Sequence, residues 1–290
     1  MEFVSGAFNV LYQFTDSFAL LVLASLGLAV IFGMMGVVNL AHGELIMSGA
    51  YVTTFLANKG VALPLAILVA AVTAGIIGAV LERLIVHRLY GRLIDSVVAT
   101  WGIGLVMSQG ALILFGPSIP SVSTPLGSFT FAGSTYSWYR LVLGVCALVL
   151  LLLMYLLFMR TKYGVQARAT IQSPEMARSL GIDTRRMYTL TFALGAALAG
   201  LTGGLYAPTT TVVPTFGSGF IVEAFVTVIV GGANVLIGTP LAGAILGGVN
   251  SLLAGSYGTF IARVGLLLAT IVVIRVLPRG ISGLVARGRS

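Results

Sequence analysis

The chain has 290 residues, of which 58% are hydrophobic and only 8% are charged, and its formal net charge is +8. Ordinary soluble domains have roughly 25% charged residues, and so few polar side chains could not cover a soluble globule of this size. The apolar segments are continuous rather than alternating, which favours helices over a membrane β-barrel. The sequence therefore predicts an all-α, polytopic helical membrane protein, with residues 1–290 forming a single transmembrane domain.

Nine apolar segments succeed one another along the chain: 17–36, 44–58, 62–81, 96–115, 141–159, 187–207, 221–233, 239–254 and 263–278. Several approach the ~20 residues that are needed to cross the hydrocarbon. Segments 44–58, 221–233 and 239–254 are short and contain glycine, which predicts half-helices or re-entrant elements packed inside the protein. We expect about nine membrane segments, with residues 3–14 as a candidate for one additional short interfacial helix.

The distribution of positive charge predicts the orientation of the chain. Basic residues cluster in 82–95, in 160–186 and in the tail that ends with Arg289, whereas 116–139 and 207–220 carry no charge. Short loops rich in Lys and Arg remain on the cytoplasmic side. The N-terminus is therefore expected outside and the C-terminus in the cytoplasm.

The segment 160–186 holds six of the sixteen basic residues of the chain. Its sequence predicts a short helix over 170–182, with Pro174 suited to a first helical position, Glu175 favouring the N-terminal turn and Gly181 ending the helix. A short cytoplasmic helix on an otherwise apolar protein offers a docking surface. The segment therefore predicts a membrane subunit that is driven by a soluble partner.

The pattern G-x-x-N-x-x-x-G occurs twice, at 36–43 and at 231–238. Each copy follows an apolar segment and precedes a second one, as in transporters that are built from internal repeats with the substrate route between broken helices. In this interpretation Asn39 and Asn234 are equivalent, and their two loops are expected to lie close together. The alternative is that both copies are tight loops in which Gly and Asn accept unusual backbone angles.

Asn39, His42 and Glu44 lie within six residues between two apolar segments. Ionisable groups inside membrane segments are costly, so either His42 and Glu44 relay a proton or they bind backbone groups that a broken helix frees. Two histidines and one cysteine form no recognisable metal-ligand set. Glu223, near the head of its segment, is interpreted as an interfacial cap.

Nearly all other interior polar candidates are neutral, which favours a neutral cargo such as urea over a zwitterionic amino acid. These candidates are Asn39, Ser48, Thr53, Thr100, Gln109, Asn234, Thr239 and Asn250. The sequence has no G-x-x-x-x-G-K-[ST] phosphate loop, so the chain does not bind ATP by that route. Active transport would then draw on an ion gradient or on a separate ATPase, and the basic segment favours the ATPase.

The stretches 36–44, 175–181 and 230–239 resemble the permeases of branched-chain amino acid ABC importers, and the resemblance runs from about residue 17 to Gly283. Met176 stands where the general importer pattern prefers Ala. Within that group the sequence looks most like the urea and short-amide branch, on the evidence of Leu89-Tyr-Gly-Arg92, Ala99-Thr-Trp-Gly102 and Arg279-Gly280 after Pro278.

The resemblance implies a heterodimer with a second, related permease subunit, two cytoplasmic ATPase subunits and a periplasmic binding protein, in the lipid of a bacterial inner membrane. It implies no enzymatic activity in this chain, no cofactor, no metal and no nucleic acid. The candidate translocation path comprises Asn39, His42, Glu44, Thr100, Asn234 and Thr239. The candidate ATPase-coupling residues are Arg168, Pro174, Glu175, Ala177, Arg178 and Gly181.

The expected function is therefore a permease subunit that carries urea or short amides, with branched-chain amino acids as the alternative cargo. An ion-coupled carrier is a further alternative, for which only His42, Glu44 and Glu223 could supply an ionisable relay. A passive channel for urea or water would need no docking helix.

Overall fold

The computed structural model describes residues 2–232, 234–278 and 280–283. The helices within these ranges are α1 Glu2–Met35, α2 His42–Asn58, α3 Leu63–Leu84, α4 Leu93–Phe115, α5 Trp138–Arg160, α6 Lys162–Gln172, α7 Pro174–Ser179, α8 Thr184–Tyr206, α9 Ser218–Gly231, α10 Val235–Tyr257 and α11 Thr259–Val276. Two 3₁₀ turns lie at Val86–Leu89 and Ala207–Thr209, and two strands form β1 Ser128–Phe131 and β2 Ser134–Ser137.

Each of the nine apolar segments falls in a helix of its own, and seven helices in the described ranges are long and apolar enough to cross a membrane. The two shorter ones are α2, with 17 residues, and α9, with 14, as expected for 44–58 and 221–233. The re-entrant character of these two helices stays a prediction.

The prediction that 239–254 is short is wrong, because α10 runs over 23 residues. The Asn234 side chain accepts a hydrogen bond from the Leu236 backbone N–H at 3.2 Å, so the helix begins before the boundary that the apolar pattern gave. Gly258, with φ of +85°, then ends it. An additional helix over 3–14 is also wrong, since these residues belong to α1, whose 34 residues correspond to about 51 Å.

The uncharged stretch 116–139 contains a β-hairpin that sequence analysis missed. Strands β1 and β2 pair antiparallel, with Phe129 opposite Tyr136. Ala132 and Gly133 form the two-residue turn with φ of +49° and +84°, the left-handed pair that a type I′ hairpin turn needs. The hairpin is anchored on α1, because the Tyr12 hydroxyl donates to the Ser137 carbonyl at 3.0 Å and accepts from the Ser137 N–H at 2.9 Å.

The chain divides into two compact units. Unit 1 comprises Met1–Ser25, Thr124–Leu152 and Glu223–Ser290, and unit 2 comprises Leu26–Ser123 and Leu153–Val222. The described core of unit 1 is formed by aliphatic side chains from α1, α9, α10 and α11, with one residue beyond α11: Leu21, Val226, Val230, Ala242, Leu246, Leu266 and Ile281.

Unit 2 depends on glycines where α8 passes its neighbours. A Cβ placed on Gly203 would overlap the Ile46 carbonyl oxygen of α2 and lie 2.8 Å from the Ala50 nitrogen. A Cβ on Gly200 would lie 2.8 Å from the Ala70 carbonyl oxygen of α3. Small residues allow this kind of close helix packing in membranes, so the glycines of α8 hold α2 and α3, and α2 begins at the first G-x-x-N-x-x-x-G motif.

Candidate translocation and coupling sites

The first G-x-x-N-x-x-x-G motif forms a turn between α1 and α2 that is fixed by Asn39 and Thr100. Asn39 is buried, and its Oδ1 accepts from the Ala41 N–H at 3.1 Å. Thr100, on α4, accepts from the Leu40 N–H at 3.1 Å and donates to the Ser96 carbonyl at 2.7 Å. The structure thus brings two of the predicted path residues together, and the Asn39 Nδ2 is buried with no hydrogen-bond partner among the described residues.

His42 and Glu44 occupy the first turn of α2 but point to different neighbours. His42 is fully buried, and its Cε1 lies 3.0 Å from where a Cβ on Gly27 of α1 would be. Glu44 is half-buried, and its carboxylate lies 3.1 Å from the corresponding position on Gly104 of α4. Both the proton relay and the backbone-binding role of these residues stay predictions.

The second motif has the same local hydrogen bond in a different setting. Asn234 accepts from the N–H two residues ahead, as Asn39 does, but its side chain is exposed. Gly238 packs directly on Gly231, whereas the corresponding Gly43 packs against Gly217. Thr239 is buried near the start of α10. Because Ala233 lies outside the described residues, the internal repeat and the proximity of the two loops stay predictions.

The predicted helix over 170–182 is two helices, since α6 ends at Gln172 and α7 begins at Pro174. Ser173 interrupts them in an extended conformation (φ −155°, ψ 101°), and its side chain accepts from the Met176 N–H at 3.3 Å as an N-cap. The residue before a proline is disfavoured in the helical region, which explains the break. Pro174 takes the first helical position and Glu175 lies in the first turn, as predicted.

Gly181 ends this segment with φ of +82°. Its N–H donates to the Arg178 carbonyl and the Ile182 N–H donates to the Ala177 carbonyl, both at 3.0 Å. This pair of bonds is the Schellman motif, which requires a left-handed residue and therefore favours glycine. The chain then enters α8 through Asp183, whose side chain accepts from the Arg186 N–H at 3.0 Å.

The predicted coupling residues serve unequal structural roles. Arg168 donates to the Phe158 carbonyl and so ties α6 to the end of α5. Ala177 is buried, and the Arg178 Nε donates to the Pro174 carbonyl at 3.3 Å within α7. Glu175 is exposed.

Sequence analysis missed four exposed apolar side chains on α6, on α7 and at the residue that follows α7. They are large side chains outside the seven long apolar helices: Val165, Ile171, Met176 and Leu180. Met176 is 64% exposed and Leu180 is 75% exposed. Exposed apolar side chains of this kind occur at surfaces that bind another protein or a membrane, and we refer to these four residues as the α6–α7 patch.

A buried carboxylate holds the first turns of α8, the helix that follows α7. Glu82, at the end of α3, is fully buried and accepts from Thr189 Oγ1 at 2.5 Å and from the Tyr90 hydroxyl. Burial and the hydrogen bond to Glu82 raise the pKa of Tyr90, so its hydroxyl stays protonated and remains a donor. Buried charged groups need such partners, and this one joins α3 both to α8 and to the segment between α3 and α4.

The interpretation of Glu223 as an interfacial cap is wrong. Glu223 is the sixth residue of α9, and its Oε1 lies 2.7 Å from Nη2 of Arg263 on α11. The two charges are visible in the sequence, each in a mostly apolar segment, but the sequence does not show that the two segments are neighbours. Arg279, which was part of the evidence for the urea branch, and the basic tail at 284–290 lie outside the described residues.

The chain is similar to known proteins along most of its length. A family model described as the permease component of the branched-chain amino acid transport system matches residues 9–277. The probable branched-chain amino acid transport permease protein LivH of Methanocaldococcus jannaschii is 32% identical over 91% of this chain and 89% of its own length.

Two further relatives show how far the similarity extends. The high-affinity branched-chain amino acid transport system permease protein BraD of Pseudomonas aeruginosa is 29% identical over 90% of this chain and 91% of its own. The autoinducer 2 import system permease protein LsrC of Salmonella paratyphi B is 30% identical over 66% of this chain and 54% of its own. No solved structure matches the chain.

Proposed function

Because the chain belongs to the family of permease components of branched-chain amino acid transport systems, we propose that it is the membrane subunit of an ABC importer that carries branched-chain amino acids. The chain is a multi-pass membrane protein and a transporter permease, not an enzyme. The family match over nearly the whole chain is the observation that carries this proposal.

The proposed cargo replaces urea, which sequence analysis had favoured. The relatives that align along nine-tenths of this chain are named for branched-chain amino acid transport. The preference for urea also depended on the scarcity of interior charges, and the ion pair between Glu223 and Arg263 removes that argument. Leucine, isoleucine and valine are therefore the cargo that the family and the chemistry favour.

The proposed machine has the partners that a permease without an ATP-binding loop needs. A second homologous permease completes a heterodimer, two ATPase subunits lie in the cytoplasm and a periplasmic binding protein delivers the cargo, with the assembly in the plasma (inner) membrane. Support comes from the α6–α7 patch, where the large apolar side chains of Met176 and Leu180 are mostly exposed in the segment between α5 and α8. In this proposal the patch binds an ATPase, and the turn at Gly181 fixes the direction in which the chain leaves α7.

The proposed path passes the two asparagine turns. Asn39 and Thr100 are held together in unit 2, and Asn234 precedes Thr239 in unit 1. Interrupted helices leave backbone groups unpaired that a polar solute can use. His42 and Glu44 are included in the path because they lie in the first turn of α2, directly after the first motif.

Cargo can be tested by uptake into vesicles that contain the chain with its ATPases, its second permease and a binding protein. We expect ATP-dependent uptake of labelled L-leucine and no competition by an excess of urea, because urea has neither an ammonium nor a carboxylate group. The control omits this chain and should abolish uptake. Saturable, ATP-dependent uptake of labelled urea without any uptake of leucine would contradict the proposed cargo.

A further inference from the structure

A small cavity in unit 1 combines the Glu223–Arg263 ion pair with neutral polar and aliphatic side chains. It lies among α1, α9, α10 and α11, has a volume of about 180 Å³ and is lined by Glu223, Arg263, Asn250 and Ser17, with Leu20 and Leu266 among its apolar members. A cavity of this size accommodates a small solute and excludes a peptide. Nothing in the proposed path uses it.

Glu223 offers an unused acceptor to this cavity. Its side chain is only 12% exposed, and Oε1 is occupied by Arg263 at 2.7 Å. Its second carboxylate oxygen, Oε2, is buried and has no hydrogen-bond partner among the described residues. A buried carboxylate oxygen without a partner is destabilising, so this atom points to a missing donor.

Arg263 offers unused donors. The guanidinium carries five N–H donors in a fixed fork, and the Nη2 group is the one that contacts Glu223. Its side chain is 58% exposed although α11 is one of the helices long and apolar enough to span a membrane. Charged side chains in membrane segments face a water-filled cavity or another protein rather than lipid, so this face of α11 is available to water, a polar solute or a polar group of another protein.

Asn250 adds an oriented amide. Its Nδ2 donates to Ser17 Oγ at 2.8 Å, which fixes the side chain and leaves Oδ1 as an acceptor. The cavity therefore presents two acceptor oxygens, on Glu223 and Asn250, and one set of guanidinium donors. Leu20 and Leu266 supply apolar surface beside them.

We propose that this cavity binds an α-amino acid, with the ammonium group on Glu223 Oε2 and Asn250 Oδ1, the carboxylate on the free N–H groups of Arg263, and an aliphatic side chain on Leu20 and Leu266. A zwitterion matches an ion pair because it adds both charges and leaves the net charge of the site unchanged. This inference rests on the proposed function and deepens it, since it locates the recognition of the amino acid backbone within the permease itself.

The first test uses the complete importer with the double variant Glu223→Gln/Arg263→Gln. Removing both charges together leaves no unpaired buried charge, so the helices can still pack. We expect the initial rate of ATP-dependent L-leucine uptake per assembled complex to fall at least tenfold, with normal co-purification of the ATPases and normal basal ATP hydrolysis. The matched control is Asp16→Asn/Arg140→Gln, which removes a second ion pair found among the described residues of unit 1, at 2.6 Å; neither residue lines the cavity, so this variant should keep uptake.

The outcomes separate the site from the proposed function. If the Glu223/Arg263 double variant assembles and imports leucine at the wild-type rate, the site is refuted while the importer remains. If the wild-type complex does not import leucine at all, the proposed function fails and the site fails with it.

A second measurement needs no variant and therefore keeps the site open to refutation if the double variant does not assemble. Labelled L-leucine is bound by the purified wild-type complex without the binding protein and is then challenged with analogues. We expect unlabelled leucine to displace the label. At the same concentration, 4-methylpentanoate, which lacks the ammonium, and 3-methylbutylamine, which lacks the carboxylate, should each displace less than a tenth as much label as leucine does. Equal displacement by either analogue, or no bound leucine, would overturn the site.

Discussion

Replacing Gly203 by valine is expected to prevent α2 and α8 from packing and to abolish the folded permease. The new Cβ would overlap the Ile46 carbonyl oxygen, and the neighbouring contact of Gly49 with Gly200 is also backbone against backbone. Backbone atoms cannot rotate away as a side chain can, so the two helices must separate. Overpacking that side chains can relieve costs about 1–3 kcal/mol. Here a new side chain meets backbone that cannot rotate away, so the cost exceeds that range and becomes comparable with the total stability of about 5–15 kcal/mol of a typical protein.

The measurement is the yield and thermal unfolding of the purified full-length chain. Gly102→Val is the matched control, because Gly102 also lies in a long helix, α4, but no atom lies within 4 Å of a Cβ built there. We expect the control to unfold near the wild-type temperature and Gly203→Val to give little or no folded protein. Similar unfolding of the two variants would contradict the close approach of α2 and α8.

The second large effect is expected at Gly181, where valine should reduce leucine uptake severalfold while the complex still hydrolyses ATP. No atom lies within 4 Å of a Cβ built on Gly181, so the cost comes from its φ of +82° and not from crowding. A left-handed conformation costs an ordinary residue about 1–2 kcal/mol and a β-branched one more. The Schellman turn would then rearrange and change the angle at which α7 leads into α8.

Gly60→Val is the matched control for this variant. Gly60 has φ of +86° and no atom within 4 Å of its Cβ position, and it closes α2 with the same pair of bonds, Gly60 N–H to Ala57 and Val61 N–H to Leu56. Both variants should lose similar stability, but only Gly181→Val should change the ratio of leucine imported to ATP hydrolysed. An equal change in that ratio for both variants would assign the effect to stability rather than to coupling.

The sequence predicts those features of the fold that depend on local chemistry. Long apolar runs gave the helices, and the Pro174 and Gly181 positions gave the start and end of α7, because proline and left-handed glycine act through their own backbones. The break at Ser173 was missed, although the residue before a proline is disfavoured in the helical region. The pattern of apolar and basic residues in 160–186 contains no sign of this backbone effect. The start of α10 was missed because an apolar count does not register the cap that Asn234 provides.

Features that depend on tertiary contacts were beyond the sequence. The β-hairpin around Ala132 and Gly133 depends on Tyr12, more than a hundred residues away. The exposure of Met176 and Leu180 is a property of the fold and not of the residues. The pairing of Glu223 with Arg263 needed the knowledge that α9 and α11 are neighbours, and without it a single carboxylate resembled a helix cap and the interior appeared suited to a neutral cargo.

The central claim is that this permease is powered from the cytoplasm by separate ATPases that bind the α6–α7 patch. The most direct measurement places a photo-cross-linking residue at Leu180, which is 75% exposed, in the assembled, active importer. Thr135, exposed on β2 in the stretch that is predicted to lie outside, provides the control position. We expect an adduct with the ATPase from position 180 and none from position 135. An active complex that gives no ATPase adduct at 180, or one that gives it at 135, would contradict the account.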